Sequence, residues 1–172
     1  MSRFFATFFY VGLLRPAPGT WGSAAAIPVA WGIHYLGGFP ALLVATLVVF
    51  ALGWWATVEA TRGHDDHDPS EIVIDEVVGQ WIALWPLSLG LWWMRSDPWV
   101  FPWPGWVLGF VMFRLFDIWK PGPVGWADRK PNAFGVMMDD VIAGAMAAVL
   151  VVIGAALGHK GADLWEYIVW MI

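Results

Sequence analysis

From Gly22 to Ala60 the chain carries almost nothing that water could solvate. His34 and Glu59 are the only side chains there that bear charge near neutral pH, and the one interruption is Gly37-Gly38-Phe39-Pro40. That run is about twice the roughly 20 apolar residues a helix needs to cross the hydrocarbon layer. Two glycines and a proline at its centre divide it, so it reads as a pair of crossing helices. The rest of the 172-residue chain agrees: 59% of it is hydrophobic, only 13% is charged, and the mean hydropathy is +0.63. Soluble domains carry about a quarter charged residues. A soluble fold of this size has no interior large enough for so much apolar surface, so the bilayer is the solvent.

Three more spans follow. Asp68-Pro69-Ser70-Glu71 has the pattern of a helix start, with Asp68 as N-cap, Pro69 in the first position and Glu71 closing a capping box. The helix it predicts runs to about Met94. A fourth span is expected from about Gly105 to Trp119 and a fifth from about Gly135 to Gly158. Phe4 to Leu14 is too short to cross and is expected to lie at the interface or re-enter, as is the tail from Ala162 to Ile172. Met1 to Leu14 has a basic start and an apolar run, but Arg15-Pro16-Ala17-Pro18 stands where a small-residue cleavage site would be, so it is not read as a removed signal. The expected fold is an all-α polytopic helix bundle of about five spans with short interfacial helices at each end, residues 1–172 forming one integral-membrane domain.

Five spans fix the sidedness. One face receives Arg3, Arg15, Arg62, Arg114, Lys120, Arg129 and Lys130, and the other only Arg95 and Lys160. That bias makes the first face cytoplasmic. Of the acidic residues, which were not used to decide this, Glu59, Asp65, Asp66, Asp68, Glu71, Asp75, Glu76, Asp117, Asp128, Asp139 and Asp140 gather at the same face, and only Asp97, Asp163 and Glu166 lie opposite. An odd number of crossings thus brings every polar cluster to one membrane surface.

Asp75 and Glu76 are expected about seven residues inside their helix, roughly 10 Å past its cap. Asp139 and Asp140 are expected about one turn inside the last span. Carboxylates at bilayer depth cost about 2.5–3.5 kcal/mol each and persist mainly where they face a cavity, a partner or an ion. Oxygen ligands with no cysteine and few histidines favour Mg²⁺, Ca²⁺ or Mn²⁺ over zinc. In each pair a glycine, Gly79 or Gly144, follows four residues after Asp75 or Asp140 on the same helical face, so another helix can approach closely there. Acidic residues in a first helical turn also complement the helix dipole, with no ion needed.

Arg114 and Asp117, three apart, suit an ion pair. Lys120, Arg129 and Lys130 suit either membrane anchoring or phosphate binding. Cations that hold phosphate beside carboxylates that hold a divalent metal make the pairing used in phosphoryl transfer. Thr20 and the amides around Gly19 could receive an anion or form a plain turn. His64-Asp65-Asp66-His67-Asp68 reads as a solvated loop, and His34 and His159 fall toward the far face.

The net charge of −5 and a pI near 5.1 argue against a nucleic-acid partner. The absence of cysteine removes disulfides, thiolate metal sites and cysteine nucleophiles. Intramembrane carboxylates also suit a divalent-cation transporter or channel, which would string them through the membrane thickness rather than gather them at one side. The DxxDGxxAR signature of CDP-alcohol phosphotransferases and the SGH element of histidine-dependent lipid phosphatases are absent.

PAPGTWGS followed by Ala26-Ile27-Pro28, then HDPSEIVIDEVVG, FRLFDIWKPGPVGWADRK and GVMMDDVIAG, resemble in order and spacing the bacterial phosphatidylglycerophosphatase A family. The chain departs from that family's pattern at Pro131-Asn132-Ala133-Phe134-Gly135, where a glycine pair is common. The resemblance implies a Mg²⁺-dependent, multi-pass enzyme of the bacterial inner membrane with its active site facing the cytoplasm. It would remove the terminal phosphate of phosphatidylglycerophosphate, giving phosphatidylglycerol and inorganic phosphate. By matched position it points to Asp75, Glu76, Asp117, Lys120, Asp128, Arg129, Asp139 and Asp140. On this reading Asp75, Glu76, Asp139 and Asp140 hold one or two Mg²⁺ ions, while Lys120, Arg129, Arg114 and Thr20 bind the phosphate. Asp117 or Asp128 is the base or a further ligand. Asp75 is then expected within about 10 Å of Asp140.

Overall fold

The computed structural model describes the backbone of residues 2–61, 69–100 and 102–171, and the side chains of residues 2–59, 69–100 and 102–158. Among the described residues the chain is helical throughout: α1 Ser2–Ala6, a 3-10 turn Val11–Leu13, α2 Pro18–Thr61, α3 Ile74–Trp93, α4 Trp103–Trp119, α5 Pro123–Asp128 and α6 Ala133–Met171.

Helix α2 is two limbs. Its backbone leaves the helical region at Gly37 (φ −155°) and Gly38 (φ 64°). Positive φ is where glycine costs least, and Pro40 follows in the first turn of the second limb, where its missing N–H is harmless. Contacts with α3 show that the chain reverses here. On the first limb Trp81 Nε1 donates to the Ala26 carbonyl at 2.9 Å, and His34 Nδ1 hydrogen-bonds Ser88 Oγ at 2.7 Å, so this limb runs parallel to α3. On the second limb Trp85 Nε1 donates to Thr46 Oγ1 at 3.2 Å and Gly53 faces Ile74, so this limb runs back. Helix α4 is antiparallel to α3, with Gly105 against Leu87 and Gly79 against Phe113, and α6 is parallel to it. Five helical segments therefore alternate in direction, as the pattern of breaks predicted.

Two segments, Pro18–Glu59 and Ala133–Gly158, are long and apolar enough to cross a membrane. Helices α3 and α4 fall outside that measure for visible reasons. The first opens on two carboxylates and carries Gln80 and Ser88, and the second has 17 residues. Leu36, Trp93, Ile118 and Trp119 point outward with most of their surface exposed.

Helix α3 begins later than its cap pattern suggests. Ile72 N–H donates to Pro69 O at 2.9 Å in a turn, and Val73 N–H donates to Ala6 O at 2.9 Å, which ties this segment to α1. Glu71 pairs with Arg3 instead of closing a capping box. A backbone hydrogen bond to a remote element outcompetes the local cap, and the helix starts at Ile74. The expected Asp68 cap and the His64–Asp68 run lie outside the described residues. At the other end, α6 continues to Met171 rather than giving way to a separate tail helix. No proline interrupts it, and single glycines cost a helix only about 1 kcal/mol each. Ser2–Ala6 and Val11–Leu13 are too short to cross, as expected. The start of α6 is set by Asn132, whose Oδ1 accepts from Gly135 N–H at 3.1 Å in the manner of an N-cap.

Helices α3 and α6 meet backbone to backbone. A Cβ on Gly79 would lie 2.7 Å from the Asp140 carbonyl oxygen, and one on Gly144 would collide with the Gly79 backbone. These backbone obstacles cannot give, and a Cβ on Gly79 would also press on the buried Phe113 ring of α4, so the helices would have to part. Gly144→Ala is expected to destabilise the fold by about 1–3 kcal/mol, read as a lower unfolding midpoint in detergent micelles.

Candidate active site

At the end of the bundle where α2, α3 and α6 begin and α4 ends lies a cavity of about 190 Å³. Ala17, Pro18 and Gly19 form one wall, with Asp75 and Glu76 from α3, Arg114 and Asp117 from α4, Lys120 beyond it, and Asp139 and Asp140 from α6. The N-termini of α2 and α3 both open onto this space, and their unpaired amides favour an anion.

The depths of the two acidic pairs are the reverse of those expected. Asp75 and Glu76 sit in the first turn of α3, while Asp139 is the seventh residue of α6. They meet at one level because α6 starts farther out. In each pair the first carboxylate accepts the next residue's amide: Glu76 N–H to Asp75 Oδ1 at 3.0 Å and Asp140 N–H to Asp139 Oδ1 at 2.9 Å.

Carboxylate oxygens of Asp75, Glu76 and Asp140 lie within 4.8 Å of one another. This satisfies the expectation that Asp75 and Asp140 share a site. The negative charges of Asp117 and Asp139 also act on Asp140. Buried Glu76 Oε2 and Asp140 Oδ1 have no hydrogen-bond partner. Carboxylates packed this closely call for a cation or a proton between them. An all-oxygen donor set with orphaned buried oxygens fits a hard divalent ion.

Two cations line the cavity. Arg114 Nη1 pairs with Asp117 Oδ2 at 2.6 Å and donates to Ser23 Oγ at 3.4 Å. Lys120 bridges Asp139, at 3.0 Å, and Asp128. Burial alone would lower the Lys120 pKa, but the two carboxylates outweigh it and hold it above the ordinary lysine value. Lys120 adopts φ 50° and ψ 52° as the C-cap of α4, a left-handed conformation that side chains other than Gly, Asn and Asp rarely take.

Asp139 thus faces Lys120 rather than joining the group of three. Asp128 is exposed and reaches the site only through Lys120. Arg129 folds back toward Gly125 on the exposed side of α5, and Lys130 lies over the Trp126 ring at 5.0 Å. Neither lines the cavity. Thr20 stands in the first turn of α2, outside the wall that its neighbours Ala17 to Gly19 form. Gly19 itself is where Glu76 Oε1 approaches, and a side chain there would meet that oxygen and Arg114. Sequence reasoning missed Ser23 and Gln80. Gln80 is fully buried one turn below Glu76, with neither amide atom hydrogen-bonded.

A family model described as Phosphatidylglycerophosphatase A matches residues 4–155. The chain is 38% identical over 148 residues to a protein of Haemophilus influenzae named Phosphatidylglycerophosphatase A, covering 85% of this chain and 83% of that one. It is 38% identical over 146 residues to the Escherichia coli protein of the same name, covering 83% and 77%. A Bacteroides thetaiotaomicron protein, provisionally described as a phosphatidylinositol-3-phosphatase, is 35% identical over 155 residues, covering 86% and 89%. No solved structure matches.

Proposed function

The chain belongs to the phosphatidylglycerophosphatase A family, and from that premise we propose that it hydrolyses the terminal phosphate of phosphatidylglycerophosphate at the cavity between α2, α3, α4 and α6. The observation that carries this reading is the convergence of Asp75, Glu76 and Asp140 beside Arg114 and Lys120. Five carboxylates and only two cations line the cavity, which leaves it short of positive charge for a phosphate dianion.

Asp75, Glu76 and Asp140 would hold Mg²⁺. When bound, the ion supplies Lewis-acid neutralisation of charge on the phosphate oxygens. Arg114 and Lys120 hold those oxygens by charge-assisted hydrogen bonds, and the amides at the start of α2 add neutral donors. Asp117 lines the same cavity with Oδ2 held by Arg114, so its Oδ1 is the atom to take a proton from the attacking water. The water oxygen bonds to phosphorus as its proton passes to Asp117, the P–O bond to the glycerol breaks, and the leaving glycerol oxygen takes up a proton from solvent. Asp139 and Asp128 hold Lys120 in place.

Five crossings, with the cavity end at the cytoplasmic face of the bacterial inner membrane, suit the alternating helix directions, the apolar outer surface and the basic residues at that end. One such domain accounts for residues 1–172, and its phosphate site lies where a lipid headgroup would. Among the described residues the buried aspartates Asp75, Asp139 and Asp140 gather at one end, which does not suit a cation pathway that would need carboxylates along its length.

The test is phosphate release by purified protein in mixed micelles from phosphatidylglycerophosphate, phosphatidate and phosphatidylinositol 3-phosphate. Release is expected to be fastest from the first, lost on chelation and restored by Mg²⁺. Release undiminished by chelator would remove the cation. Preference for the inositol lipid would favour the second reading, drawn from the Bacteroides relative.

A further inference from the structure

We propose that the seam between the first limb of α2 and α4 seats an acyl chain of the lipid whose phosphate occupies the charged cavity. The proposal rests on the lipid-phosphatase reading and adds where the substrate's hydrocarbon goes. An open groove of about 240 Å³ lies on this seam, lined by Ile27, Trp103, Trp106, Val107 and Phe110, which turn only apolar surface toward it. It is in helical register with the catalytic cavity. On α2, Gly19, Ser23 and Ile27 follow one another at intervals of four; on α4, Arg114, Phe110, Val107 and Trp103 follow at intervals of three or four. Residues so spaced share a helical face.

The seam therefore changes character along its length. At one end Gly19 and Arg114 belong to the cavity wall. The Arg114–Ser23 hydrogen bond of 3.4 Å ties the two helices between cavity and groove. Ile27 lies about 12 Å beyond Gly19 at the rise of an α-helix, a depth within one leaflet of a roughly 30 Å hydrocarbon layer. Farther on, Trp99 closes the seam against Trp31 and Tyr35, with ring centroids 5.6 and 4.5 Å apart.

A phosphate monoester of a lipid must present its phosphorus to the carboxylates while its chains stay in hydrocarbon. A charged cavity that passes along one pair of helix faces into a sideways-opening apolar groove meets both requirements. The larger apolar groove of about 380 Å³, between α3, α4 and α6 near Leu87 and Gly154, shares no lining residue with the cavity and lies at the other end of the bundle.

The experiment uses phosphatidylglycerophosphate carrying a photoactivatable diazirine in one acyl chain, with phosphatidate so labelled in parallel. Both are crosslinked to the purified full chain and mapped by mass spectrometry. Saturable labelling at Ile27, Val107 and Phe110, displaced by excess unlabelled lipid, is expected. Labelling spread evenly over the outward helix faces, or concentrated at residues 151–158, overturns the proposal. As a second measurement, Val107→Trp fills the groove at an exposed position that the fold tolerates. It is expected to raise KM for the long-chain substrate relative to a dihexanoyl analogue by roughly tenfold, about the value of two methylenes. Val152→Trp, on the outward face of α6, should leave that ratio unchanged, and an unchanged ratio in Val107→Trp counts against the seam. Wild-type protein that releases phosphate without labelling at the seam refutes the seam alone. Protein that labels there but releases no phosphate from any lipid in the panel refutes the catalytic reading.

Discussion

Asp140→Asn lowers phosphate release by roughly 10²- to 10³-fold, the loss typical of removing one preorganised group that meets transition-state charge, without weakening the fold. The two halves of this expectation come from the same geometry. Asp140 is buried, has an orphaned oxygen, and stands among the negative charges of Asp75, Asp117 and Asp139. Asparagine keeps its shape and removes one negative charge from a crowd of them, so repulsion in the ion-free protein falls. The unfolding midpoint without divalent ions should stay level or rise, while its upward shift on adding Mg²⁺ shrinks. A merely structural aspartate would show the opposite, a lower midpoint and an intact Mg²⁺ shift. Full activity in the variant would sink the carboxylate site.

Lys120→Met costs both activity and stability. The substitution leaves the Asp139 carboxylate, with a side chain only 8% exposed, without its ammonium partner. That should destabilise by about 2 kcal/mol, a charged hydrogen bond discounted for the partial exposure of the lysine. Phosphate release should fall by roughly tenfold or more as a charge-assisted contact is lost. The double variant Lys120→Met/Asp139→Asn separates the effects. It should regain the unfolding midpoint, because no charge is stranded, and remain as inactive as the single variant. Recovery of activity along with stability would mean that Lys120 acts only by neutralising Asp139. The folded pKa of Lys120 is raised above its unfolded value of about 10.5. Its pairing is therefore complete below that value and is lost only as pH rises through the folded pKa, so any pH dependence of activity near neutrality comes from other groups.

The amino-acid sequence discloses most where a residue's chemistry conflicts with its surroundings. Gly37-Gly38-Phe39-Pro40 cannot continue a helix unbroken, and the chain reverses there. Carboxylates inside apolar runs need a reason to stay, and the sidedness of the spans brings Asp75 and Asp140 together before any coordinates do. Gly79 and Gly144 announce a close approach, though not that a side chain on Gly144 would meet the Gly79 backbone while one on Gly79 would meet Phe113 and the Asp140 carbonyl. The misread positions depend on partners distant in sequence. Asp68-Pro69-Ser70-Glu71 has a sound local cap pattern, but Ala6 and Arg3 claim Val73 and Glu71, and no local pattern reveals that. Asp128 and Arg129 are neighbours at the end of a helix of only six residues, and a single step in register there decides which one is turned toward the site, where Asp128 meets Lys120. Gln80 and Ser23 did carry a signal, being polar residues four places from Glu76 and Gly19, one helical turn beneath the site.

The glycine contact between α3 and α6 also fixes the calibre of the site. Asp75 and Glu76 ride on one helix and Asp140 on the other, four or fewer residues from where the backbones touch. The opening between the carboxylates is then set by two main chains in contact, which cannot breathe as long side chains do. Mg²⁺ wants oxygens at about 2.0–2.1 Å and Ca²⁺ at about 2.3–2.6 Å. For a site that held such an ion, two helices kept at this spacing by their glycines, which a side chain on Gly144 would prise apart, would be the ruler by which one ion is accepted over the other.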